Sequence, residues 1–72
     1  MKTSAKQLDA FLVEQGWSAE TLSDAIYEAA RVRISWRTLH RFRQGVGTPD
    51  RTTQYHVDKF VSTHRRQSGA AR

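Results

Sequence analysis

The chain has 72 residues, which suits one small domain and leaves little room for the walled cleft that most enzymes need. It has no cysteine, which excludes disulfides and thiolate metal sites, and no run of about twenty apolar residues that would span a bilayer. From these features we expect a soluble, non-enzymatic protein. The net charge of +5 is unevenly distributed, because residues 1–30 are acidic whereas residues 31–51 hold six arginines and one aspartate. An arginine-rich segment of this kind predicts a polyanionic partner.

Two helices are predicted in the acidic part of the chain, and each begins at a serine. The first follows Ser4 at about residues 5–15 and ends at Gly16, a residue that favours the left-handed helix stop. The second follows Ser18 at about residues 19–31. Apolar residues recur at helical spacing and form the predicted buried stripe: Leu8, Phe11, Leu12, Leu22, Ile26 and Ala29.

A third helix is predicted at residues 36–44, between a serine cap and a glycine stop. Only Leu39 and Phe42 have the spacing of core residues, so this short helix depends on tertiary packing for its stability. The rest of its surface is rich in arginine. We expect that surface to remain exposed.

A fourth helix is predicted at residues 49–64, because Thr48 has the place of a hydroxyl cap and Pro49 that of the first helical residue. Its predicted buried stripe is Val57, Phe60 and Val61, and Tyr55 lies away from that stripe, so we expect its ring to be exposed. Residues 65–72 have no apolar periodicity and are predicted to form a disordered basic tail. The predicted organisation is an all-α four-helix domain over residues 1–64 followed by this tail.

The third helix and its flanks carry five features in register: a small cap, a hydroxyl and then an aliphatic residue at its third and fourth positions, a large apolar residue, and a final glycine. These are Ser35, Thr38, Leu39, Phe42 and Gly45. The pattern resembles the second half of the helix-turn-helix in phage-repressor-like (Cro and Xre type) regulators, closely over residues 35–49 and in helix order over residues 5–62. The resemblance implies a repressor-like helix-turn-helix fold and a small transcriptional regulator of phage or mobile-element type, in the cytoplasm and associated with the nucleoid.

The first half of the motif departs from that family and leaves two registers open. In one, Ala29 is the small residue in the middle of the second helix, which puts Arg33 where the turn glycine belongs. In the other, Ala25 has that place, which suits Leu22 and Ile26 better but makes the turn about four residues longer than usual.

The resemblance implies that the third helix enters the major groove of duplex DNA. The side chains expected to read bases are Trp36, Arg37, His40, Arg41 and Gln44. Those expected to contact phosphates are Arg33, Ser35, Arg43, Thr48 and Arg51. Arg37 and Arg41 are the foremost candidates, because an arginine can grip guanine through two hydrogen bonds. Trp36 can alternatively pack in the core or at its edge, and any single arginine can be an ordinary solvated charge.

Several other readings of the basic surface stay open. A DNA-architectural or recombination accessory factor would use the same arginines with weaker sequence preference. An antitoxin or phage inhibitor on this scaffold would bind an acidic protein surface, and a plain helical bundle would carry a basic surface with no ligand. The three histidines have no common metal-ligand spacing, so no metal or other cofactor is expected. Many relatives bind two-fold operators, so a homodimer on DNA is also implied by the resemblance.

Overall fold

The computed structural model describes residues 2–70, and the side chains of residues 2–67. Over that range the chain forms four helices and no strand, which confirms the predicted all-α class. The helices are α1 (Ala5–Gln15), α2 (Ala19–Ala30), α3 (Trp36–Gln44) and α4 (Arg51–Ala70). In the described range, no helix is both long enough and apolar enough to cross a membrane.

The ends of α1 confirm the predicted capping. The Ser4 hydroxyl accepts a hydrogen bond from the Gln7 backbone N–H at 3.2 Å, and the Gln7 side chain accepts one from the Ser4 N–H at 2.9 Å. Two donors that have no partner inside the helix are thereby satisfied. At the other end Gly16 has a φ of 69°, the left-handed conformation that glycine adopts without a Cβ clash.

The core lies where the apolar faces of all four helices meet. The largest fully buried side chains of α1 and α2 are Leu8, Phe11, Leu12, Leu22 and Ile26. Helix α3 packs against both α1 and α2, and α4 packs against α2. Leu39 and Phe42 are the buried residues of α3, as predicted, so the helix is held by its inward side alone.

The α2–α3 connection matches neither register completely. Ala29 is exposed, so its predicted place in the buried stripe was wrong, whereas Ala25 is half-buried and is the small residue that packs inward. The connection consists of residues 31–35, so it is longer than the usual turn of about three to four residues but shorter than the Ala25 register implies. Its left-handed residue is Arg31, with a φ of 57°, and the position of Arg33 as the turn residue was therefore wrong.

Helix α4 differs from its prediction at both ends. Its cap is Asp50, whose carboxylate accepts a hydrogen bond from the Thr53 N–H at 2.7 Å, so the helix begins at Arg51 and not at Pro49. A carboxylate is a strong acceptor and suits a helix start. At the other end the helix continues through residues 65–70, where a disordered tail was predicted. That prediction was wrong for those residues because Arg65, Arg66 and Gln67 are good helix formers that extend an already packed helix; residues 71–72 lie outside the described range.

The N-terminal segment is attached to α4 by buried and half-buried polar groups. The Thr3 N–H donates to Asp58 Oδ1 at 2.7 Å, and the Gln54 side chain donates to the Thr3 carbonyl at 3.0 Å and to Asp58 Oδ1 at 2.8 Å. Burial raises the pKa of Asp58, but hydrogen bonds from Thr3 and Gln54 outweigh it and leave that pKa below its ordinary value. Thr3 is therefore held against the first half of α4.

Candidate nucleic-acid interface

The outward side of α3 carries the five side chains predicted to read bases, and all five are exposed: Trp36, Arg37, His40, Arg41 and Gln44. We call these five residues the α3 outer face. Because Leu39 and Phe42 are buried on the opposite side, the helix cannot rotate without exposing them. The predicted orientation is confirmed, and the base-reading role stays a prediction.

Trp36 lies at the edge of the fold and not in its core. It is 43% exposed, which excludes a place in the core and agrees with edge packing. The Arg37 guanidinium lies 5.7 Å from the centre of the indole ring, and the His40 ring centre lies 6.3 Å away. The indole is therefore a flat surface beside a cation, an arrangement that suits contact with a sugar or a thymine methyl group.

Arg37 and Arg41 are the two cations of the α3 outer face, and neither forms a salt bridge within residues 2–67. They are separated by four residues, so they project from the same side of the helix one turn apart. An arginine without an acidic partner keeps its five donors available to a ligand.

Arg43 is turned inward, which corrects its predicted role as a phosphate contact. Its Nε and Nη2 lie 2.8 and 2.7 Å from Oδ1 of Asp9 on α1. The side chain is only 18% exposed, because it is packed between the two helices that it joins. Arg43 therefore stabilises the position of α3 and leaves the α3 outer face without its charge.

Arg33 is also paired, but at the surface. Its Nη1 lies 2.9 Å from Oδ1 of Asp24 and donates to the Ser23 hydroxyl at 3.2 Å. Its side chain is 53% exposed. Arg33 and Trp36 line the same shallow depression, so Arg33 continues the α3 outer face past the start of the helix.

The other predicted phosphate contacts lie at the two ends of α3. Ser35 is exposed and caps the helix, and its hydroxyl accepts a hydrogen bond from the Arg37 N–H at 3.3 Å. Thr48 and Arg51 are exposed beyond the other end. The structure therefore places cations or donors before and after α3, as a helix lying along a groove would need.

Three charged residues of this region were missed by the sequence analysis. Lys2 lines one depression with Thr48 and another with Arg51, a proximity that depends on the attachment of the N-terminal segment to α4. Glu20 lines the depression that holds Arg33, and its negative charge there opposes phosphate binding. Arg31 is exposed in the α2–α3 connection. Nothing in the local sequence signals the first two, since both contacts join distant parts of the chain.

The chain matches no protein-family model, no curated protein and no solved structure. Among the described residues, no three metal-binding side chains come together.

Proposed function

We propose that this protein binds duplex DNA by inserting α3 into the major groove. The observation that carries the proposal is the α3 outer face, where Arg37 and Arg41 are exposed and unpaired in the described structure on a helix anchored by its opposite side. The major groove admits an α-helix, and a rigid helix presents side chains more precisely than a loop does.

The chemistry of this surface favours sequence recognition. Arg37 and Arg41 each have the planar fork that matches guanine O6 and N7, a contact that contributes about 1–3 kcal/mol of discrimination. Gln44 at the end of the helix suits adenine. His40 lies between the two arginines along the chain, and Trp36 precedes them. Arg51, Thr48 and Ser35 would bind backbone phosphates and set the position of the helix.

We further propose that binding regulates transcription by occupying a promoter or operator and excluding polymerase. The support is the resemblance of residues 35–49 to phage-repressor-like regulators. A nucleoid-associated protein of phage or mobile-element type is the corresponding expectation. A homodimer would place two copies of α3 about one duplex turn apart on a two-fold site.

The test is selection from a random duplex pool at about 0.15 M salt, followed by sequencing of the retained DNA. We expect an enriched motif in which Arg37→Ala and Arg41→Ala each relax a different position. Arg37→Lys and Arg41→Lys are the matched controls, because lysine keeps the charge but lacks the bidentate fork. They should retain most of the affinity and still lose preference at the same positions.

Two outcomes would contradict this function in different ways. Retention of DNA without any enriched motif indicates an architectural or recombination accessory factor. No retention at all removes DNA from consideration, and an acidic protein partner then becomes the next candidate, as for an antitoxin or a phage inhibitor.

A further inference from the structure

Two arginines of the α2–α3 connection gather around one aromatic ring. The guanidinium carbon of Arg33 lies 4.5 Å from the centre of the Tyr27 ring, and that of Arg31 lies 5.9 Å from the same centre. Both distances are within the range of cation–π attraction, about 6 Å. Tyr27 is therefore the ring that the guanidinium groups of both arginines approach.

Arg33 is fixed in place by one edge of its guanidinium and leaves the other edge open. Both of its hydrogen bonds, to Asp24 and to Ser23, use Nη1. Within residues 2–67, Nε and Nη2 of this side chain make no hydrogen bond. A phosphate oxygen pair accepts from two parallel N–H groups of this kind. The open edge is therefore a preorganised donor pair.

Arg31 occupies a backbone conformation that favours glycine. Its φ of 57° makes it the only residue other than glycine with a positive φ in the described range, and it ends α2 at the position where glycine is most common. A side chain there strains the backbone. Such an outlier suggests that the side chain itself has a function.

We propose that Arg31 and Arg33 together form a binding site for one backbone phosphate of the DNA, with Tyr27 and Asp24 as its positioning residues. This site rests on the proposed function, because its ligand is a phosphodiester of the duplex that α3 enters. Arg33 lines the depression that also contains Trp36, so the site adjoins the α3 outer face. Asp24 neutralises the charge of Arg33, and Arg31 supplies a second positive charge. Glu20 lines the same depression as Arg33 and opposes the phosphate, so the site depends on the donor geometry of the two arginines and not on a large net charge.

The test is the salt dependence of binding to the enriched duplex. Arg31→Gly should weaken binding several-fold and reduce the slope of log affinity against log salt by about one, with the motif unchanged. It should also raise the melting temperature, because glycine relaxes the left-handed position. Weaker binding by a more stable protein cannot be explained by partial unfolding.

Two further variants separate this site from general charge. Tyr27→Leu keeps both arginines and removes the ring, so it should weaken binding without changing the motif. Arg66→Ala removes an exposed arginine from α4 as the matched control and should change the slope less than Arg31→Gly does. An equal change in slope for Arg31→Gly and Arg66→Ala would show a diffuse charge effect and overturn the site.

The failure of this inference can be told from the failure of the proposed function. If Arg37→Ala and Arg41→Ala relax the motif while Arg31→Gly leaves the salt slope unchanged, only the two-arginine site is wrong. If the wild-type protein retains no duplex, both proposals are wrong.

Discussion

The two sides of α3 carry the same residue type for different purposes. On the outward side Arg41 is exposed and has no acidic partner in the described structure. Two residues later, Arg43 is mostly buried and paired with Asp9. A nine-residue helix thus holds two arginines without an acidic partner in the described structure, Arg37 and Arg41, and a third, Arg43, that fastens the helix to α1.

The difference shows why charge along the sequence exaggerates charge in space. Along the sequence the acids of the first thirty residues are separate from the arginine-rich segment, yet in the fold Asp9 and Asp24 partner Arg43 and Arg33. Folding therefore cancels part of the positive charge and concentrates the remainder on the exposed arginines. The exposed side chain of Arg33 can still offer its remaining donors to a ligand, whereas that of Arg43 is only 18% exposed and offers them poorly.

The largest effect on the two sides of α3 should come from removing a buried residue of its inward side, Phe42. Phe42→Ala should lower the free energy of unfolding by about 3–5 kcal/mol, because it removes a buried ring and leaves a cavity. Urea denaturation measures the loss. Gln44→Ala, in the same turn but exposed, should stay within about 0.5 kcal/mol of the wild type. Equal losses for the two variants would contradict the orientation of α3.

A smaller effect should separate the two arginines themselves. Arg43→Ala should lower the free energy of unfolding by about 1–2 kcal/mol, since it leaves Asp9 without its partner and removes packed methylene groups. Arg41→Ala should change stability by less than about 0.5 kcal/mol but weaken DNA binding. A double-mutant cycle of Arg43→Ala with Asp9→Ala measures the pair directly. No coupling between these two sites would mean that the pair does not hold α3.

The helices were predictable from sequence because their signals are local. The caps Ser4, Ser18 and Ser35 lie within three residues of the donors they satisfy, and the apolar spacing of α3 sets which side is inward. The exposure of the α3 outer face follows from the same spacing. Its ligand does not, since exposure is compatible with more than one partner.

The rest depended on contacts between distant residues. Helical spacing puts Arg43 nearer than Arg41 to the side of Leu39, but its partner Asp9 is 34 positions away, and no local pattern identifies that partner. The predicted cap of α4 was Thr48, whereas the observed cap is Asp50. Both residue types cap helices well, so the local sequence does not distinguish between them. The left-handed Arg31 was missed because glycine is the usual signal for that conformation.

The smallest effect is the pH dependence of stability. It concerns two acids, Asp50 and Asp58, that accept hydrogen bonds from backbone N–H groups, whereas Asp9 and Asp24 pair with arginines. Hydrogen bonds from the side chain and backbone of Thr53 lower the pKa of Asp50, and those from Thr3 and Gln54 leave the pKa of Asp58 lowered despite its burial. A lowered folded-state pKa contributes stability that is present above the ordinary value of 3.8 and is lost as pH falls through the folded value.

We therefore expect the urea midpoint to fall between about pH 5 and about pH 2, and Asp58→Asn to make that fall shallower. Asparagine keeps an acceptor oxygen for Thr3 but does not titrate there. Asp50→Asn should act in the same direction, because asparagine also caps a helix well. An unchanged pH dependence in the Asp50→Asn, Asp58→Asn double variant would mean that other acids, including those paired with arginine, account for the whole loss.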